Sequence, residues 1–381
     1  MKDRYRVGII GFAHMHIVEH VQYFLRKKER IQWIGAAPAA PLLESGRALP
    51  LTRGDNLERC RQLGAVPRLY GDYHELLMQK PDLILLGCEN YLHTKVVCDT
   101  VELGIHVLVD KPLAYTLSQA EEMKRASIRG GGEIITNWPV AWKPSVRLGK
   151  RLLEQGAVGE PLRISFHNPD SLGPFCHGPE MKEEDQAKEW WYQKEKGGGS
   201  LVDYCCYGCS LLLEYMEKRP KEVFAITKNF LHPYSNAEDY AGIVLDFGDA
   251  VGWIEGSWSL YASGTPTGPV VWGTKGAIVV DYANGFRVDL YRNKFSGTPA
   301  ASYRPDASYM IPGRSVIEEE VLHFLDTGEP VQKALGLERN MEIAALLESA
   351  DKSAASGRME PVIYPAQKRV VKAMGFQKEG A

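Results

Sequence analysis

Asp203 and Tyr207 stand four residues apart in the run Gly197-Gly198-Gly199-Ser200-Leu201-Val202-Asp203-Tyr204-Cys205-Cys206-Tyr207. If the run is helical, positions i and i+4 share a face. A carboxylate beside a phenol suits proton transfer at a hydroxyl or carbonyl oxygen. The three glycines ahead of it permit a tight turn or close backbone packing. A second candidate is Lys111, in Asp110-Lys111-Pro112 after the apolar run His106–Val109. Ligands of open α/β sheets bind beyond the carboxyl ends of strands, where this lysine would stand. Pro112 stiffens the segment and favours extended backbone at Lys111. An ammonium near the phenol would lower its pKa from an ordinary value of about 10. The same residues also admit a plainer reading as a helix N-terminal acid, a buried tyrosine and a solvated lysine.

A third candidate is Gly11-Phe12-Ala13-His14-Met15-His16, between the apolar run Tyr5–Ile10 and an amphipathic stretch around Val18, Val21, Phe24 and Leu25. Dinucleotide folds carry G-x-G-x-x-G here, for a tight turn and close approach to a pyrophosphate at a helix N-terminus. Only the first glycine is intact, with Ala13 a small replacement and His16 not. His14 and His16 read equally as cofactor contacts or as capping and packing histidines. The acid about 20 residues on that would bind ribose hydroxyls is absent. The second strand ends Gly35-Ala36-Ala37-Pro38, and Glu44 and Arg47 come only later.

The elements that must position these residues change character along the chain. Strand-like and helix-like segments alternate over the first 139 residues, the signature of parallel βαβ units. The Pro- and Ala-rich stretch Ala36–Pro50 reads as a surface loop. From residue 140 come a helix at Ser145–Glu154, a strand at Pro161–His167, a loop at 167–186 and one helix from Ser200 to about Lys218. Closely spaced strands between Val223 and Arg292 and helices at Ser315–Thr327 and Leu337–Ser356 follow. This predicts a doubly wound parallel-sheet domain over 1–139 and an α+β domain over 140–381 with a large, mostly antiparallel sheet.

Composition narrows the function classes. The 381 residues carry 45 Lys and Arg against 48 Asp and Glu, a net charge of −3, which argues against nucleic acid or a membrane as a partner. Seven cysteines without framework spacing, and no signal-like or membrane-spanning run, predict a cytoplasmic protein. Cys206-x-x-Cys209 lacks a second ligand pair and reads as packing, and Cys176-His177 is the remaining metal-type pair. No metal site is expected.

Taken in order, Gly11-x-Ala13, Glu89-Asn90-Tyr91-Leu92-His93, Asp110-Lys111-Pro112, the triple-glycine helix with Asp203, and Gly273-Thr274-Lys275-Gly276 resemble the glucose–fructose oxidoreductase and inositol dehydrogenase (Gfo/Idh/MocA) family. The resemblance covers residues 5 to about 350. It implies an α/β Rossmann domain, an open-faced C-terminal sheet that serves homo-oligomerisation as dimer or tetramer, and NAD(P)-dependent redox chemistry on sugars or polyols. The catalytic residues implied are Lys111, Asp203 and Tyr207. Gly11, Phe12, Ala13, His14, Ala37, Cys88, Asn90, His93, Asp110 and Lys111 would meet NAD or NADP, with NAD favoured. Trp142, His167, Trp190 and Asp203 would meet the carbohydrate. Against the family pattern, Tyr207 replaces the usual histidine, His16 the third glycine and Asp110 a glutamate, and no arginine stands at Ala141. Two other readings stay open: a non-catalytic sensor of cofactor or sugar, and a glycoside-cleaving enzyme that oxidises its substrate transiently.

Overall fold

The computed structural model describes residues 2–40, 52–169, 173–174, 181–261 and 264–365. Most of the Ala36–Pro50 stretch, with Glu44 and Arg47, and the pair Cys176-His177 lie outside the described residues.

The first half runs β1 (Tyr5–Ile10), α1 (His16–Leu25), β2 (Ile31–Ala37), α2 (Arg53–Gln62), α3 (Tyr73–Leu77), β3 (Leu83–Leu86), α4 (His93–Val101), β4 (His106–Asp110), α5 (Leu117–Gly130) and β5 (Ile134–Asn137). Its five strands are all parallel, in the order β2-β1-β3-β4-β5. Leu83, Ile84, Leu85 and Leu86 are fully buried, as a strand covered by helices on both faces must be. α1 buries Ile17, Val18, Val21 and Phe24, the apolar stripe of an amphipathic helix. α5 opens on a Thr116–Gln119 capping box. The strand order reverses between β1 and β3, and that switch point opens a crevice at their carboxyl ends.

The second half continues with α6 (Pro144–Glu154), β6 (Pro161–Pro169), α7 (Glu183–Gln186), α8 (Ser200–Asp203), α9 (Cys205–Met216), β7 (Glu222–Lys228), β8 (Tyr240–Asp246), β9 (Val251–Ser257), β10 (Val270–Gly273), β11 (Gly276–Asp281), β12 (Arg287–Tyr291), β13 (Ala301–Tyr303), α10 (Ile317–Thr327), α11 (Leu337–Ser356) and β14 (Glu360–Pro361). These strands form one nine-stranded sheet, antiparallel apart from the β6–β9 pair. β7, β8 and β9 alternate buried and more exposed positions, the pattern of a sheet packed on one face. Helix α9 lies on β6 and β9, and α11 packs on β7, α9 and also α5, so the tail ties the two sheets together.

The expected parallel-sheet domain and mostly antiparallel sheet are both present. The expected single helix to Lys218 is instead two, broken at Tyr204 and ending at Met216. β6 runs on to Pro169, into the expected loop. No helix among the described residues is long and apolar enough to cross a membrane.

Candidate active site at the sheet switch point

The turn after β1 is shaped by Gly11. Its φ is +80°, and a Cβ there would lie 2.6 Å from Cys88 Cβ and 2.7 Å from Cys88 N. Only glycine fits where the ends of β1 and β3 meet so closely. The amides of Ala13 and His14 both donate to the Gly87 carbonyl, at 2.8 and 3.3 Å. Helix α1 then starts with no side-chain cap at Met15, leaving the positive end of its dipole at the cleft. The close helix–sheet packing that a third glycine provides comes here from the other partner. Gly87 does it, since a Cβ there would stand 2.7 Å from Ile17 Cβ.

Other residues expected at a cofactor act on the backbone around it. Phe12 and Ala37 are buried, and the Phe12 carbonyl accepts from Asn56 Nδ2 at 2.9 Å. Asn90 Nδ2 donates to the Gly197 carbonyl at 2.9 Å, tying the glycine run to the sheet. His93 Nδ1 lies 3.1 and 3.2 Å from the Pro112 and Leu113 carbonyls, and Nε2 3.3 Å from that of Cys88. It therefore staples the segment carrying Lys111 to the end of β3. The Cys88 thiol points to the Glu89 carbonyl at 3.6 Å, and burial pushes its pKa well up.

Lys111, at the end of β4, is buried and reaches across to α8. Its Nζ lies 2.5 Å from Asp203 Oδ1 and 3.0 Å from the Asp203 carbonyl. The helix break explains that second bond. Tyr207 N donates to the Tyr204 carbonyl, so the Asp203 carbonyl is left for Lys111 and the Cys206 thiol. Asp203 Oδ2 accepts from Trp258 Nε1 at 3.2 Å, which completes the carboxylate's shell. Burial opposes the Lys111 charge, but Asp203 and then Tyr207 outweigh it and hold the ammonium well above its ordinary pKa.

Tyr207 sits with its ring 4.8 Å from Lys111 Nζ and edge-on to Trp138. The expectation that Lys111 lowers the phenol's pKa is overturned in net effect. Burial raises it well above 10, and Lys111 offsets only part of that rise. Both groups are therefore protonated at neutral pH. Cys205, Cys206 and Cys209 are buried beside them, with thiols pushed well up by burial, and pack as small apolar residues.

A further charged group was missed in part. His14 Nδ1 lies 3.1 Å from Asp110 Oδ2, and His16 Nδ1 lies 3.0 and 3.1 Å from Oδ1 and Oδ2. Burial lowers His16, but the Asp110 charge and hydrogen bond outweigh it and the net shift is upward. Burial first, then the His16 charge, takes His14 well below 6.5. Asp110 is held well below its ordinary pKa, since the two histidines outweigh its burial.

These residues line one cleft of about 260 Å³, with His14, His16, Lys111, Asp203 and Tyr207 on one side and Lys143, Asn168, Trp191, Tyr204 and Tyr282 also facing it. Three expected substrate residues stand elsewhere. Trp190 is buried behind Trp191, stacked on it at 3.9 Å between centroids. His167 pairs with Glu255 at 2.6 Å, and its neighbour Asn168 faces the cleft, because successive strand residues point to opposite faces. Trp142 is spent on Asn137 Oδ1 at 2.9 Å, whereas Lys143 brings a cation near the position of the missing arginine. The Trp191 indole N–H is buried and has no hydrogen-bond partner among the described residues.

The glycine run has its own partner. Gly199 has φ +100°, and a Cβ there would meet Glu238 Oε1 at 2.3 Å. Glu238 accepts from Leu201 N at 2.9 Å and so holds the start of α8. Burial pushes its carboxyl up to about 7, against the pull of that amide. Because the folded pKa exceeds the ordinary 4.5, the associated stability is complete below about 4.5 and is lost as pH rises through about 7. Glu238→Gln should therefore gain on the native chain by roughly 2–3 kcal/mol between those limits, read by urea unfolding at each pH. A difference that does not change with pH would contradict the assignment.

Comparison with known proteins gives the class. Residues 5–136 match the oxidoreductase family with NAD-binding Rossmann fold (GFO_IDH_MocA), and residues 146–279 match the GFO/IDH/MocA C-terminal domain. The chain belongs to the Gfo/Idh/MocA family. It is 27% identical over 223 residues to trans-1,2-dihydrobenzene-1,2-diol dehydrogenase of Xenopus laevis, covering 58% of this chain and 62% of that one. It is 25% identical over 215 residues to 2,7-anhydro-N-acetylneuraminate hydratase of Mediterraneibacter gnavus, covering 52% and 51%. These matches span only about half to three-fifths of the relatives' own length. The structure of levoglucosan dehydrogenase in complex with NADH superposes with a TM-score of 0.75 at 17% identity, over 95% of this chain and all of that one, a likeness of fold.

Proposed function

We propose that the chain is an NAD(P)-dependent oxidoreductase that moves hydride between a nicotinamide and a carbinol or carbonyl carbon of a sugar or cyclic polyol. The observation that carries this reading is the buried Lys111–Asp203 pair against Tyr207, on the wall of a cleft that also meets the Gly11 turn. The turn fits a dinucleotide. Gly11 has no Cβ to block close approach, and the N-terminus of α1 opens at the cleft. NAD is favoured, as the levoglucosan dehydrogenase complex holds NADH. When bound, the nicotinamide supplies or accepts the hydride.

The chain's own residues do the rest. Gly11, Phe12, Ala13, His14 and Ala37 form the dinucleotide side, with Cys88, Asn90 and His93 fixing the loops beside it. Lys111 orients the substrate oxygen and Asp203 holds Lys111 or a sugar hydroxyl. Tyr207 carries the proton. Because Lys111 and Tyr207 are both protonated at neutral pH, the site as built donates a proton to oxygen as a carbonyl is reduced. Trp191, Asn168 and Lys143 take the substrate-contacting part expected of Trp190, His167 and Trp142, a ring and polar groups suited to a sugar face. A relative named as a hydratase rather than a dehydrogenase keeps open a second reading, a glycoside-cleaving enzyme that oxidises its substrate transiently.

We divide the chain near residue 140 and assign homo-oligomerisation to the open sheet face, where Ile226, Val251, Trp253 and Trp272 are exposed. A monomer mass in sedimentation would contradict that. Thermal-shift titration with NAD, NADH, NADP and NADPH tests the cofactor. One pair should raise the midpoint in proportion to the logarithm of its concentration, and no shift with any of the four would overturn the reading.

A further inference from the structure

We propose that His14, His16 and Asp110 hold a divalent transition-metal ion at the edge of the cleft. One ring nitrogen each of His14 and His16 and an Asp110 carboxylate oxygen all lie within 4.8 Å of one another. The two histidine–carboxylate separations are 3.1 and 3.0 Å. Ligand atoms that each sit 2.0–2.2 Å from one ion stand about 3 to 3.5 Å apart, and both histidine–carboxylate separations fall at the short end of that range. Two imidazoles and one carboxylate are a donor set for Zn²⁺, Fe²⁺, Mn²⁺ or Co²⁺, with further positions left open. Here the open side is the cleft, which His14 and His16 line.

Hydrogen-bond directions point the same way. The backbone N–H of His16 donates to His14 Nδ1 at 3.2 Å, so that nitrogen presents its lone pair. The same nitrogen stands 3.1 Å from a carboxylate oxygen, a contact that an ion shared by the two would relieve once the nitrogen gives up the His16 N–H bond. A proton on His16 satisfies Asp110 but does nothing for this contact. Neighbouring charges leave room for an ion, since the Lys111 ammonium is neutralised by Asp203 rather than by Asp110. The ligands also sit on rigid supports, the turn into α1 and the last residue of β4. His16 and Asp110 are two of the positions that depart from the family pattern, and they touch.

The inference rests on these contacts alone and needs no bound dinucleotide. Untagged full-length protein, stripped with a chelator and dialysed, is titrated with Zn²⁺ by calorimetry and with Co²⁺ by visible absorption, without cofactor or sugar. One equivalent per chain should bind, with Co²⁺ giving the visible bands of a protein site carrying nitrogen ligands. His16→Gln and Asp110→Asn should each weaken binding by more than the tenfold that even outer-shell partners cost, while His323→Gln, at a half-buried histidine paired with Glu329 outside the cluster, leaves it unchanged. Absence of saturable binding to the native chain would overturn the proposal, and so would equal affinity in folded His16→Gln, Asp110→Asn and native protein. Metal binding without any dinucleotide shift would sink the cofactor reading and leave this one standing.

Discussion

Lys111→Ala is expected to lower turnover at least about a hundredfold, the size of effect typical of a positioned acid–base group. The same change leaves Asp203 buried without its ammonium, and breaking a buried pair costs about 3–5 kcal/mol. Activity loss and instability are separated by a second variant. Lys111→Met combined with Asp203→Asn removes both charges, so stability should recover relative to Lys111→Ala while turnover does not. Recovery of turnover along with stability would make Lys111 a structural lysine. Near-native turnover in Lys111→Ala would remove it from the mechanism altogether.

Tyr207→Phe should also cost at least about a hundredfold in turnover, with cofactor affinity held, because the ring, its edge contact with Trp138 and its packing against Lys111 all survive. The phenol's pKa is raised and so is that of Lys111. Both are therefore in the donating form below about pH 9, and carbonyl reduction by the native chain should stay flat up to there and fall only above it. A bell-shaped profile centred near pH 7 would move the proton to a histidine instead, with His16 the candidate in the cleft.

Much of this architecture was legible in residue order. Apolar runs such as Leu83–Leu86, with helical stretches between them, specify parallel strands because no other arrangement buries both faces. The helix expected over Leu337–Ser356 has those same ends, since its pattern is long and stops at Gly357. The break at Tyr204 was not legible. Nothing in Asp203-Tyr204-Cys205 disfavours a helix. The carbonyl is taken by a lysine 92 residues away, a tertiary bond no local pattern reports.

The site divides in the same way. Strand-end placement singles out Lys111, and the family resemblance gives Lys111, Asp203 and Tyr207 their expected roles, although the helix that would put Asp203 and Tyr207 on one face breaks between them. Trp191 rather than the expected Trp190 faces the cleft, and neither spacing nor residue type distinguishes two adjacent indoles. His167 displaced Asn168 because the strand's parity relative to the cleft depends on which face α9 covers. His16 looked like a lost glycine, while Gly87, which does that glycine's packing, lies 71 residues further on, directly after an apolar run. Glu238 carried no signal of its own, because its partner is the backbone of a distant turn.

Hydride transfer at this cleft is read directly in a single turnover. Stoichiometric enzyme is mixed rapidly with NAD or NADP, whichever shifts the melting midpoint, and with pooled aldoses, anhydro-sugars and inositols, while absorbance is followed at 340 nm. A single-turnover format registers even transient oxidation. A rise in 340 nm absorbance is expected with at least one pool, and none in Lys111→Ala. A fully bound cofactor that shows no change with any pool would contradict it.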